Sequence, residues 1–167
     1  MKKCSILLGG FVILFLSLIS IGVVHASHTS TSQYGYSTKV WKSGDIYDVG
    51  GVKGIIFALS SDKQHGQLLS LNQTYDDWDD AEAWCRTLGP GWTLPTKMDL
   101  ELLHLVFNKI NEVLEREGCE RVDGSYWTRE CPNDYEAYAV WVGSSFASPS
   151  CRNKYNNNYR ARAVRKF

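Results

Sequence analysis

The 167-residue chain carries 18 basic and 18 acidic side chains, a formal net charge of zero, with 44% hydrophobic and 13% aromatic residues. That balance excludes the strongly basic composition of a general nucleic-acid or anionic-membrane binder, and the apolar content excludes a disordered chain. No nucleic-acid partner is expected.

The N-terminus, "MKKCSILLGGFVILFLSLISIGVVHASHTS", sets two lysines ahead of an apolar run from Ile6 to Val24. Small residues in Val24-His25-Ala26 complete the layout of a secretory signal over 1–26, cleaved after Ala26. At about 20 apolar residues the run is also long enough to stay as an uncleaved anchor. Both alternatives export the rest, so the expected location is secreted, periplasmic or cell-surface, with membrane contact only through this segment. Without residues 1–26, 141 residues remain, with 16 basic against 18 acidic side chains. That length suits one domain, able to bury roughly two-thirds of its unfolded surface.

Residues 27–42 begin "SHTSTSQYGYST", Ser/Thr-rich and without apolar periodicity, and read as a linker. The folded domain is expected over 43–167. In "GDIYDVGGVKGIIFALSSDKQHGQLLSL" the β-rich runs Ile46–Val49, Val52–Leu59 and Gln67–Leu71 predict a three-stranded meander. Gly50-Gly51 and a polar Ser60–Gly66 turn separate them.

The period then changes. In "TYDDWDDAEAWCRTLGPGW", Trp78, Ala81, Cys85 and Leu88 fall at helical spacing, and Gly89-Pro90-Gly91 stops the helix. Asp76, Asp77, Asp79 and Asp80 crowd its start, where anions meet free N–H groups and the positive end of the helix dipole. They lack the spacing of a calcium loop, so no metal is expected. A second helix starts at Thr96, an N-cap with Asp99 three positions on, and carries Leu103, Val106, Ile110 and Val113 as one stripe. His104 on that helix reads as a surface or boundary residue rather than a ligand.

Beyond Gly118 the chain returns to strands. "GSYWTRE" is one; "EAYAVWVG" is another, with Tyr138, Val140 and Val142 on one face and Ala139 and Trp141 on the other. A polar loop, "SSFASPSCRNKYNNN", leads to a final strand, "YRARAVRKF". Strands, helices, strands imply an α+β fold, with two helices inserted in a mainly antiparallel sheet.

Cys85, Cys119, Cys131 and Cys151 follow the leader, an even number that allows up to two disulfides in an exported chain. Cys131 is expected to pair with Cys119 or Cys151, both in loop-rich sequence, leaving Cys85 as a small buried helix residue. No G-x-S-x-G elbow, phosphate-cradling glycine loop or H-E-x-x-H occurs, so neither catalytic residues nor a cofactor are expected.

Several separated motifs, in order, resemble one family. "DDWDDAEAWCRTLGPGWTLPTKMDLELL" resembles the block of exported bacterial C-type-lectin-like domains in which a W-x-x-A-x-x-x-C helix precedes G-x-W-x-L-P-[TS]. "YWTRE…AYAVWVG…NNNYRARAVRKF" is similar to its second half, usually Y-W-S-S-[ST]-E, an Ala-rich strand and a closing V-R-A-V-R-x-F. The resemblance covers 43–167 and is nearest to the C-terminal domains of bacterial collagen-like adhesins, in the formylglycine-generating-enzyme-like branch. It implies a C-type-lectin-like fold with a central closing strand, and an adhesin-like role in binding a glycan or protein. Thr128-Arg129 departs from the usual Ser-Ser, and Ala161 from the usual valine. The calcium-dependent sugar motifs E-P-N, Q-P-D and W-N-D are absent, and the enzyme's paired cysteines do not match Cys131 and Cys151 by local motif. Neither calcium binding nor that enzyme activity carries over.

The last stretch, "CRNKYNNNYRARAVRKF", holds six basic residues and no acid. Its plainest role is a turn at Asn156, Asn157 and Asn158, where asparagine tolerates left-handed backbone, with Arg160, Arg162 and Arg165 pairing with the acids of the first helix. The functional alternative is a contact face made by Arg129, Trp141, Arg152, Lys154, the three asparagines and Arg160. Amides beside aromatics suit sugars or protein loops, and the basic residues favour an anionic partner. The rival roles are a structural envelope component and an enzyme of the formylglycine-generating type.

Overall fold

In this computed structural model, which describes residues 39–146 and 148–167, Gly50 and Gly51 turn the first hairpin at φ 60° and 79°. A two-residue turn with positive φ at both positions matches strand twist, and glycine adopts it without a Cβ clash. The turn joins β1 (Ile46–Val49) to β2 (Val52–Leu59), followed by β3 (Gly66–Leu69) and β4 (Thr74–Tyr75). Three helices come next: α1 (Trp78–Thr87), α2 (Lys97–Leu105) and α3 (Phe107–Arg116). The chain closes with β5 (Gly124–Trp127), β6 (Glu136–Val142), β7 (Ser150–Asn153), β8 (Arg160–Ala161) and β9 (Val164–Lys166). The leader 1–26 and most of the linker lie outside the described residues.

The strands form two sheets, ordered β1-β2-β3-β9 and β4-β8-β5-β6-β7. All pairings are antiparallel except β5 with β8. The α+β class holds, as does the meander, but the single sheet with two helices does not. The long apolar stripe of the second helix breaks at Val106, whose φ of −121° and ψ of 10° leave the helical region, so α2 and α3 are separate. "YRARAVRKF" is likewise two strands in two sheets rather than one central strand. Part of the expected polar loop is β7, an edge strand.

Arg162 explains the split of the closing strand. The residue is 1% exposed, and its guanidinium reaches the backbone oxygens of Ser70, Leu71 and Glu120, which lie outside β8. Ser70 Oγ accepts from Ala163 N–H at 3.0 Å, and Ser70 N–H donates to the Ala163 carbonyl at 2.9 Å. The chain therefore leaves one sheet at Ala161 and joins the other at Val164.

Alternating side chains feed two cores. Ile56, Leu68 and Trp127 pack with Trp78, Ala81 and Cys85 of α1, while Ile55, Phe57 and Tyr126 pack with Leu100, Leu103, Ile110 and Leu114 of α2 and α3. Strands buried on both faces explain why "GIIFA" reads as one apolar run. Val140 and Val142 face the second core and Ala137 and Ala139 the first, as the alternation of β6 predicts. Trp41, assigned to the linker from sequence, belongs to the first core, where its ring lies 5.1 Å from that of Tyr47. Two indoles tie α1 to the second sheet: Trp78 Nε1 donates to the Thr128 carbonyl at 2.8 Å, and Trp127 Nε1 to that of Asp76 at 3.0 Å.

Candidate functional site

The start of α2 is capped as its sequence dictates. Thr96 Oγ1 accepts from Asp99 N–H at 3.0 Å, and Asp99 Oδ2 accepts from Thr96 N–H at 2.8 Å, a reciprocal capping box. Asp77 does the same work at α1, accepting from Asp80 N–H at 3.0 Å, the role expected for an acid at a helix start. Glu130 Oε1 accepts from Lys97 N–H at 3.1 Å and holds the segment after β5 against α2. Arg129 is held there too, its N–H donating to the Pro95 carbonyl at 2.9 Å.

Thr93 brings the loop before α2 to β9, exchanging two hydrogen bonds with Val164 at 3.0 and 2.9 Å. Between this loop, the start of α2 and β9 lies a groove of about 630 Å³. Arg129, Arg165 and Lys166 line it, against one carboxylate, Asp99. The Arg165 side chain runs along the groove wall beside Gly91, whose φ of 83° favours glycine. None of the three cations has an ion pair or a side-chain hydrogen bond among the described residues. Asp99 is 8% exposed and committed to its cap, so the groove presents excess positive charge on a partly enclosed surface. Such a concave site concentrates anions more effectively than the same charges spread over a convex face.

A second groove of about 510 Å³ adjoins it, sharing Gln67 and Lys166. Leu59, Leu102 and Phe167 give this half its apolar lining. The turn at its end is organised by Asp62, whose carboxyl is held well below the usual range by hydrogen bonds from Ser60, Gln64 and His65.

The residues expected to form one contact face lie on several elements. Arg129 lines the groove. Arg152 lies exposed on the edge strand β7, and Lys154 Nζ sits 4.4 Å over the Trp78 ring. Arg160 lies on β8, two strands from β6, with Nε 2.5 Å from the Tyr75 hydroxyl. Trp141, 41% exposed, stands near the end of β6 opposite Ser125, with its indole beside Gly143. Asn156, Asn157 and Asn158 form a turn, as their plainest role requires. Its device is a side-chain bond, from Asn158 N–H to Asn156 Oδ1 at 2.9 Å, and none of the three has positive φ. Among the described residues no arginine of the closing segment pairs with the α1 acids: Arg160 meets tyrosine, Arg162 meets carbonyls, and Arg165 faces the groove.

The cysteines also depart from expectation. Cys131 and Cys151 are exposed free thiols, so Cys131 pairs with neither proposed partner. Cys151 lies opposite Tyr138 in the β6–β7 register, and its side chain raises the Tyr138 phenol above its ordinary range through a hydrogen bond. Cys119 is half-buried against the second core. Cys85 is buried in the first core, as its helical position predicts. His104 is a boundary residue, its ring stacked 5.6 Å from Phe107.

Sequence reasoning missed Arg165, Lys166 and Gln67 as site residues. The available signal was the acid-free run of six basic residues at the C-terminus, which leaves those cations without local partners. No family model matches the chain, and no curated protein matches it.

Proposed function

We propose that the chain is an exported, non-catalytic binding module of C-type-lectin-like type that holds an anionic glycan or protein surface in the Arg129–Arg165–Lys166 groove. The observation that carries this reading is the convergence of three cations with no ion-pair partner among the described residues on one concave surface, against a single carboxylate. Charges kept unpaired beside one another repel, and an anionic partner relieves that repulsion while gaining charge-assisted hydrogen bonds. The signal-like N-terminus supports export, and the ordered lectin-like motifs support the fold assignment.

Titration calorimetry of the full chain against polygalacturonate, poly-glutamate and neutral dextran tests this reading. Binding of the polyanions, absent for dextran and at least about tenfold weaker for the Arg129→Ala/Arg165→Ala variant, is expected. Polyanion binding that the variant retains unchanged, or silence across the panel, would sink it.

A further inference from the structure

β9 is an edge, and its hydrogen bonds show which backbone groups are open. Gly66 and Phe167 exchange two bonds, at 3.3 and 3.2 Å, and Ser70 N–H bonds the Ala163 carbonyl. Antiparallel ladders alternate, so Arg165 also bonds across to β3, while Val164 and Lys166 turn their N–H and C=O to the other side. Val164 spends both groups on Thr93. Lys166 comes next along the same edge, and no described residue takes its N–H or C=O. It lines both grooves.

We propose that an extended acidic peptide segment of a partner protein adds to the β9 edge, exchanging main-chain hydrogen bonds with Lys166. It lies between β9 and the α2 flank formed by Thr96, Asp99 and Leu102. This rests on the groove being the binding site, and names which anion fills it. Strand addition draws affinity from the main chain and specificity from alternate side chains. Acidic side chains meet Arg129, Arg165 and Lys166; an apolar side chain fits the half lined by Leu59, Leu102 and Phe167. A polyanionic glycan could stack a ring face on Phe167 but has no regular donor–acceptor pair for Lys166. A second copy of β9 is disfavoured, because like charges would stand directly opposite each other.

The test uses the full chain and a fluorescent acetyl-Glu-Val-Glu-Val-Glu-Val-Glu peptide, with two versions N-methylated at alternate residues, one version for each strand edge. Polygalacturonate and the Arg165→Ala variant complete the set. Methylation on one edge should weaken binding at least about tenfold while methylation on the other is tolerated, and Arg165→Ala should weaken the parent peptide. Equal binding of all three peptides, or equal loss for both methylated forms, overturns strand addition but leaves the groove if Arg165→Ala still matters. Arg165-dependent binding of polygalacturonate alone likewise overturns the peptide and keeps the groove. Binding of no probe, or no effect of Arg165→Ala on any, overturns both.

Discussion

Arg162 Nη1 lies 3.0 Å from the Ser70 carbonyl oxygen in the interior of the fold. The same nitrogen donates to Leu71 at 2.9 Å, and Nη2 donates to the Gln73 side chain at 3.1 Å and the Glu120 carbonyl at 2.7 Å. One guanidinium thus joins the end of β3, the segment before β4 and the segment before β5 at the point where the closing strand changes sheets. Burial pushes the Arg162 pKa down, and the surrounding acceptors retain the charge.

Removing that hub leaves buried acceptors unpaired. Each costs about 1–3 kcal/mol, and methionine removes the charge together with its donors, so no unpaired charge adds to that. Arg162→Met should therefore lower unfolding free energy by about 3 kcal/mol or more in urea titrations. Arg162→Lys should rescue little, since a single ammonium cannot span four oxygens. A midpoint within error of the parent for either variant would refute the hub.

Cys85 supplies a pH signature. Burial, and secondarily Glu82, push its thiol up to about 12, above its value in an unfolded chain. The unfolded thiol ionises first on raising pH, so the contribution is intact below about pH 8.5 and is lost between there and 12, at up to about 1.4 kcal/mol per pH unit. The stability difference between the parent and Cys85→Ala should accordingly narrow as pH rises above about 8.5. A constant difference would argue against a buried neutral thiol. Mass mapping after mild alkylation of native chain should find label on exposed Cys131 and Cys151 and none on Cys85.

What could be read from the sequence was local. Gly50-Gly51, the Thr96–Asp99 box and the two faces of β6 each depend on residues a few positions apart, and all three are present as expected. The division into two sheets depends on Arg162 finding acceptors 42 to 92 positions away, for which no period or motif speaks. The groove is equally non-local: Thr93 must reach Val164, and Arg129 must reach Pro95, before its cations converge. Arg160 and Lys154 are also placed by distant partners: each stands over an aromatic ring, Tyr75 and Trp78, that the basic run itself does not foretell.

Gly66 tests the junction of β2, β3 and the C-terminus. A Cβ there would lie 2.3 Å from the Ala58 carbonyl oxygen and 3.0 Å from the Phe167 ring. The backbone oxygen cannot rotate away as a side chain would, so Gly66→Ala should cost about 1–3 kcal/mol through overpacking. At Gly51 nothing lies within 4 Å, and only its φ of 79° opposes a side chain. Gly51→Ala should cost about 1–2 kcal/mol, the left-handed penalty alone. Thermal unfolding distinguishes them: mutating the facing aromatic, Phe167→Ala, leaves the Gly66 penalty largely in place if the clash with Ala58 dominates. A penalty abolished by that second change would place the conflict at the ring instead.

The groove cations separate binding from stability. The side chains of Arg129, Arg165 and Lys166 make no ion pair or hydrogen bond among the described residues, so replacing Arg129 and Arg165 with alanine should change stability by less than about 0.5 kcal/mol per site. Any small gain would come from relief of like-charge repulsion. A bound polyanion stabilises only the folded chain, by about 2.7 kcal/mol at a hundredfold excess over Kd, so polygalacturonate should raise Tm at low salt. At about 1 M salt the Debye length is about 3 Å, shorter than the reach across the groove, and the gain should vanish. It should also vanish in the Arg129→Ala/Arg165→Ala variant at low salt. A polyanion-induced rise in Tm that survives both high salt and that double substitution would mean the anion binds elsewhere, leaving the groove without its assigned ligand.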